Sequence, residues 1–285
     1  MNAIPPLGRI ASPPDPPELP DSARPNWPGW YGPVALLAAF AAISVALLPL
    51  IPAFLLGDEG EGAAGVATLA ALVVQDGVLM GSALLFAALR LKPRRWHFGI
   101  RKTPFWPTVG WAALGFAAML AFEFGFLELF HVSESNVEEL GKGNLVAAIA
   151  VGLAVIVVAP VSEEFFFRAF FYRALRTRLR VWSSALICGL VFGALHFQGP
   201  DTAVILPVIA FFGVGQCLVY EKTGSLFAVI GIHAAFNTVA TLGISVPVAL
   251  VLGAAVIAAC MIAPHYLDPG PSPFGLGRRG KALAA

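Results

Sequence analysis

An all-α, polytopic membrane protein with about eight transmembrane helices is the fold class this sequence predicts. Three observations carry that expectation. Of the 285 residues, 58% are hydrophobic and only 12% charged, where a soluble domain runs near ~25% charged. Mean hydropathy is +0.80. The apolar residues also fall in blocks close to the ~20 residues a helix needs to cross a bilayer.

Residues 1–32 are different material. They hold nine prolines, no apolar run and no signal-peptide core, so a disordered tail is expected. Trp27, Trp30 and Tyr31 close it, where an interfacial aromatic belt would precede the first span. That span is expected near Pro33–Leu56. An acidic loop (Asp58, Glu59, Glu61) leads into the second, near Val66–Leu89, which contains Gln75 and Asp76. A basic loop (Arg90, Lys92, Arg94, Arg95, Arg101, Lys102) leads into the third, near Phe105–Leu129, with Glu123 inside it. The fourth starts near Leu145, after Glu134, Glu138, Glu139 and Lys142. It runs through Pro160, where a backbone donor is missing and a kink is expected, to Phe165–Leu175.

Arg173, Arg176, Arg178 and Arg180 then turn the chain into a fifth span, Ser183–Phe197. The sixth covers Ala203–Tyr220, where Gly213 and Gly215 suit close helix packing. A short Glu221-Lys222 loop precedes the seventh, Ser225–Gly243, and the eighth covers Val246–Ile262. The domain division is therefore a tail (1–32), a three-span region (33–144), a core (145–263) and a second tail (264–285) carrying Arg278, Arg279 and Lys281. Basic loops favour the cytoplasmic side, so both termini are expected there. A net charge of +1 gives no reason to invoke nucleic acid. Cys188, Cys217 and Cys260 have no CxxC spacing and read as small core residues.

Within these spans lie polar residues that hydrocarbon disfavours by about 2.5–3.5 kcal/mol each. Glu164 and Arg168 are four apart and share a helix face, with the acid on the favourable N-terminal side. Glu163 is rotated by ~100° from its neighbour, so one glutamate pairs with Arg168 and the other is free for chemistry. Phe192 lies one turn before His196, and His233 and Asn237 share a face. Glu163 is 17 residues before Arg180 and His196 is 16 after it, which puts them at one depth in an antiparallel hairpin. His233 and Asn237 follow Ser225 by 8 and 12 residues and reach a similar level. Asp76, Glu123 and Gln216 are further polar positions that could face a cavity between the spans. His97, His131 and His265 lie in or near loops.

Two chemistries suit this cluster. A carboxylate and an imidazole around one water make a general base, with His and Asn donors for an oxyanion. Alternatively Glu163, His196 and His233 hold zinc with an open position for water. No serine, threonine or cysteine stands out as a nucleophile. A proton-coupled transporter would also need intramembrane Glu, His and Arg, but the chain lacks the paired halves common in transporters. A non-proteolytic membrane scaffold is the third class.

The patterns Glu163-Glu164-x-x-x-Arg168, Phe192-x-x-x-His196 and His233-x-x-x-Asn237 resemble the three signatures of the CPBP family. These are the CAAX-protease and bacteriocin-processing (Abi) intramembrane proteases. Thr223-Gly224-Ser225-Leu226 resembles the stretch leading into the third signature, and the likeness covers roughly Leu145–Ala263. The resemblance implies an all-helical endopeptidase of a bacterial cytoplasmic membrane, related to the type II CAAX prenyl protease. Its partners would be the lipid bilayer and a protein or peptide substrate, lipidated or not. It also implies that Glu163 activates water with His196 assisting, that His233 and Asn237 stabilise the oxyanion, and that Glu164 and Arg168 organise the helix. Both metal-free and zinc-dependent mechanisms are compatible with it.

Overall fold

The structure is a computed structural model that describes residues 25–52, 61–131, 152–242 and 246–267. Among these residues it is all-helical, as the composition predicts. Helix α1 spans Tyr31–Leu47, α2 Glu61–Ala88 and α3 Phe105–Phe130. Helix α4 covers 154–176 in four stretches: π-helical Ala154–Val158, α-helical Ala159–Phe166, π-helical Phe167–Tyr172 and α-helical Arg173–Arg176. Then come α5 (Val181–Leu195), a short α6 (Pro200–Ala203), α7 (Leu206–Thr223), α8 (Leu226–Leu242) and α9 (Val246–Leu267).

Three helical stretches are long and apolar enough to cross a membrane: Tyr31–Leu50, Leu69–Ala88 and Phe105–Phe130. The apolar stretches of α5, α8 and α9 are shorter, Val181–Leu195, Leu226–Ala240 and Val251–Ile262. Large apolar side chains such as Leu37, Val73, Leu114, Leu190 and Val251 point outward and stay exposed. An outer surface of this kind fits hydrocarbon rather than water.

Helix α4 runs through the middle of the bundle, packed by α2, α5, α7 and α8. Its Phe-Phe-Phe-Arg-Ala-Phe-Phe-Tyr run, residues 165–172, is buried throughout. α5 and α7 approach closely because Gly189 and Gly213 face each other. A Cβ on Gly213 would meet the Gly189 Cα at 2.8 Å. A Cβ on Gly215 would strike Met119 of α3, so both glycines serve packing as the sequence suggests.

Two expectations from the sequence change. Trp27 does not stand in an exposed belt; it is 1% exposed, stacked on Phe98 and tilted against Phe170, with Arg173 beside it. The end of the presumed tail is thus fastened to the core, and residues 1–24 lie outside the described residues. Arg176 and Glu221, read as loop charges, are buried. Arg176 grips Glu221 through Nη2 at 2.7 Å and Nε at 3.2 Å, and the Tyr172 hydroxyl donates to the same carboxylate at 2.8 Å. A two-pronged guanidinium–carboxylate pair can satisfy both charges inside the protein. It locks the end of α4 to the end of α7.

Candidate active site

The site begins with a proline. In the π-helical register the Ala159 amide donates to the Ala154 carbonyl, five residues back. The next residue is Pro160, which has no amide hydrogen, so the Val155 carbonyl loses its helical donor. Asn237 of α8 supplies it through Nδ2 at 2.8 Å. The predicted disruption at Pro160 therefore takes the form of a widened turn, a form that recurs at functional sites.

Glu164 and Arg168 pair as their spacing requires. Arg168 Nη1 donates to Glu164 Oε1 at 2.8 Å, and both side chains are fully buried. Arg168 Nη2 donates to the Gly213 carbonyl at 3.2 Å, and the guanidinium lies 4.5 Å from the Phe192 ring centre. Glu164 Oε1 has a second close partner, His233 Nδ1 at 2.7 Å, and a weaker one in Gln216 Nε2 at 3.4 Å. Because Arg168 makes Glu164 an acceptor, His233 donates from Nδ1 and turns Nε2 the other way. There it faces Glu163 Oε2 at 3.8 Å. Glu163 Oε2 is sealed and has no hydrogen-bond partner, as is Glu164 Oε2. A buried oxygen without a partner calls for an explanation, and a catalytic role is one.

His233 reaches this position through the turn before α8. Gly224 ends α7 with a left-handed φ of +62°, which glycine takes at little cost. Ser225 Oγ then accepts the Ala228 amide at 3.2 Å and caps α8. The Leu226 amide donates to the Gly99 carbonyl at 3.0 Å, which ties this turn to the loop between α2 and α3.

The structure thus brings Glu163, Glu164, Arg168 and His233 together. It places Asn237 one turn beyond, engaged with α4. His196 stands at the C-terminal end of α5, where Nδ1 bonds the Phe192 carbonyl at 2.8 Å. A carbonyl cannot donate, so Nδ1 carries the hydrogen and Nε2 keeps its lone pair. His196 and His233 both border the Phe192 ring, with centroids at 4.7 Å and 6.0 Å. Gln216, a polar position without an assigned role, holds the Val229 carbonyl at 2.9 Å and supports Glu164. Asp76 accepts the Ser162 hydroxyl at 2.6 Å. That bond occupies the one serine hydroxyl beside the glutamates.

For zinc, Glu163, His196 and His233 would have to converge. Glu163 and His233 face each other, and the Nδ1 bond of His196 to the Phe192 carbonyl leaves its Nε2 lone pair unspent. Among the described residues no three His, Cys, Asp or Glu side chains are grouped to hold a metal ion. As placed, the three do not form a ligand set, and no step below is routed through a metal.

Fold and site together define an integral membrane protein of helices wrapped round a buried carboxylate–imidazole cluster. Residues 145–239, which contain all three motifs, match the family of type II CAAX prenyl endopeptidases described as Rce1-like, a family of proteases. The match starts at Leu145, where the motif resemblance starts, and ends at residue 239, short of Ala263. The Bacillus subtilis (strain 168) protein named "Uncharacterized protein YyaK" is 29% identical over 114 residues, covering 38% of this chain and 38% of that one. The alignment therefore spans about two fifths of that relative. No solved structure matches the chain.

Proposed function

We propose that the protein is an intramembrane endopeptidase that hydrolyses a peptide bond in a membrane-associated protein or peptide. The observation that carries this reading is the Glu163 carboxylate facing an imidazole whose far side is held by Glu164 and Arg168. Glu163 is the general base. A water hydrogen-bonded to it and to His233 or His196 gives up a proton to Glu163 while its oxygen bonds to the scissile carbonyl carbon. The resulting oxyanion takes a hydrogen bond from the second Asn237 amide hydrogen, the first being spent on Val155, while His233, its Nδ1 hydrogen spent on Glu164, accepts from the water through Nε2. When the C–N bond breaks, Glu163 returns the proton to the leaving amine. Glu164 and Arg168 keep His233 in one tautomer and one orientation throughout.

The test is proteolysis by purified protein against a library of membrane-associated peptides, with cleavage products read by mass spectrometry. Products that appear at the same rate with a Glu163→Ala control would remove the assignment. Chelation separates the two chemistries. The water mechanism drawn here expects full activity after a strong chelator strips bound metal. Stoichiometric zinc lost in step with activity would return Glu163, His196 and His233 to the role of ligands.

The proposed topology has eight spans with both termini cytoplasmic and the site opening to that side. Positive charge supports it, since Arg178 and Arg180 remain exposed at the turn between α4 and α5. A cysteine at the exposed Lys222 should react with an impermeant thiol reagent only in inside-out vesicles. One at the exposed Asp201 should react only from outside. The reverse pattern would put the mouth of the site on the outer face.

A further inference from the structure

Asp76 belongs to α2, outside the segment that carries the family match, in a stretch apolar enough to cross a membrane. An ionisable side chain there costs a few kcal/mol, about 2.5–3.5. Asp76 is nonetheless buried, and no basic side chain pairs with it among the described residues. Its Oδ1 accepts the Ser162 hydroxyl at 2.6 Å, in the short range of charge-assisted hydrogen bonds. Its Oδ2 is sealed with no partner.

Ser162 immediately precedes Glu163 and lies in the turn that Pro160 deprives of a backbone bond. It also reaches the Ala159 carbonyl at 3.0 Å. π-helical stretches flank this turn on both sides. A helix segment that lacks one rung at Pro160 and changes register on either side has less than a regular α-helix to fix the rotation of its side chains. Two side-chain bonds from neighbouring helices take over that task. Asn237 of α8 holds Val155, and Asp76 of α2 holds Ser162.

We propose that Asp76 is a positioning residue for Glu163, acting through Ser162, so that α2 is part of the working site. The inference rests on the peptidase reading and deepens it. A small rotation of α4 moves the Glu163 carboxylate away from His233, and misplacements near 1 Å cost about a hundredfold in rate. The loss falls on turnover rather than on substrate binding, because the hydrogen bond of Asp76 goes to Ser162 in the helix that carries Glu163.

The experiment measures kcat, KM and thermal midpoint on full-length protein in detergent for Asp76→Ala, Asp76→Asn, Ser162→Ala and the double alanine variant. Asp76→Ala and Ser162→Ala should each lower kcat by about ten- to a hundredfold with KM nearly unchanged. The double variant should be no slower than either single one, because both remove the same bond. Asp76→Asn should recover most of the rate, since its amide oxygen still accepts the Ser162 hydroxyl. If Asp76→Ala does not fold, Ser162→Ala, which deletes one oxygen, decides alone. Wild-type kcat in Ser162→Ala, or no recovery in Asp76→Asn, would overturn the proposal. A Glu163→Ala control as active as wild type is a different result and would remove the peptidase reading itself.

Discussion

Replacing Glu163 by glutamine should abolish peptide cleavage while leaving the fold and its thermal midpoint intact. General-base groups contribute about 10²–10⁴ in rate, and glutamine fills the same volume without a basic oxygen. The expected neutrality towards stability follows from geometry. Glu163 Oε2 has no hydrogen-bond partner and stands 3.8 Å from His233, so the substitution breaks no tight contact. Its chain neighbour behaves oppositely, because Glu164 Oε1 holds Arg168, His233 and Gln216 at once. Adjacent glutamates should therefore separate in two assays, turnover for Glu163 and unfolding for Glu164. Wild-type turnover in Glu163→Gln would show that another group takes the proton.

Arg168→Ala should produce the largest loss of stability. It leaves Glu164 fully buried without its cation, removes a donor from the Gly213 carbonyl and empties the space over the Phe192 ring. Breaking a buried pair by deleting one partner costs about 3–5 kcal/mol. For a chain of this size that corresponds to a fall of roughly 6–20 °C in the thermal midpoint. Heating the purified variant in detergent beside wild type measures it. An unchanged midpoint would mean that the pair contributes nothing net. Activity should fall as well, because His233 loses the carboxylate orientation that fixes its tautomer.

Helical spacing made part of this site legible. Four residues between Glu164 and Arg168 dictate the pair, and a 100° rotation turns Glu163 elsewhere, here towards His233. The spacings of Glu163 and His196 from Arg180, 17 and 16 residues, carry the expectation of a similar depth. What spacing cannot supply is the rotation of one helix against another. That rotation decides that His233 bonds Glu164 through Nδ1 and that Asn237 serves Val155. Pro160 carried a readable signal for the Asn237 contact, since a proline leaves one carbonyl wanting a donor. Trp27, Arg176 and Glu221 were misplaced for another reason. Aromatic and charged residues at helix ends are ordinarily interfacial, and only the coincidence of Phe98, Phe170 and Arg173, or of Arg176 with Glu221, makes burial favourable.

The seat of Trp27 bears on how the molecule is assembled. This tryptophan leaves the ribosome ahead of α1, yet Phe170 and Arg173, which enclose it with Phe98, are made more than 140 residues later. At 5–20 residues per second the delay is roughly 7–30 s. During that interval α1 can already cross the bilayer while its leading edge has nothing to bind. The N-terminal rim of α1 is thus made well before the residues that fasten it. Arrival of α4 both delivers the glutamates and supplies the seat of Trp27, which couples completion of the site to completion of the fold.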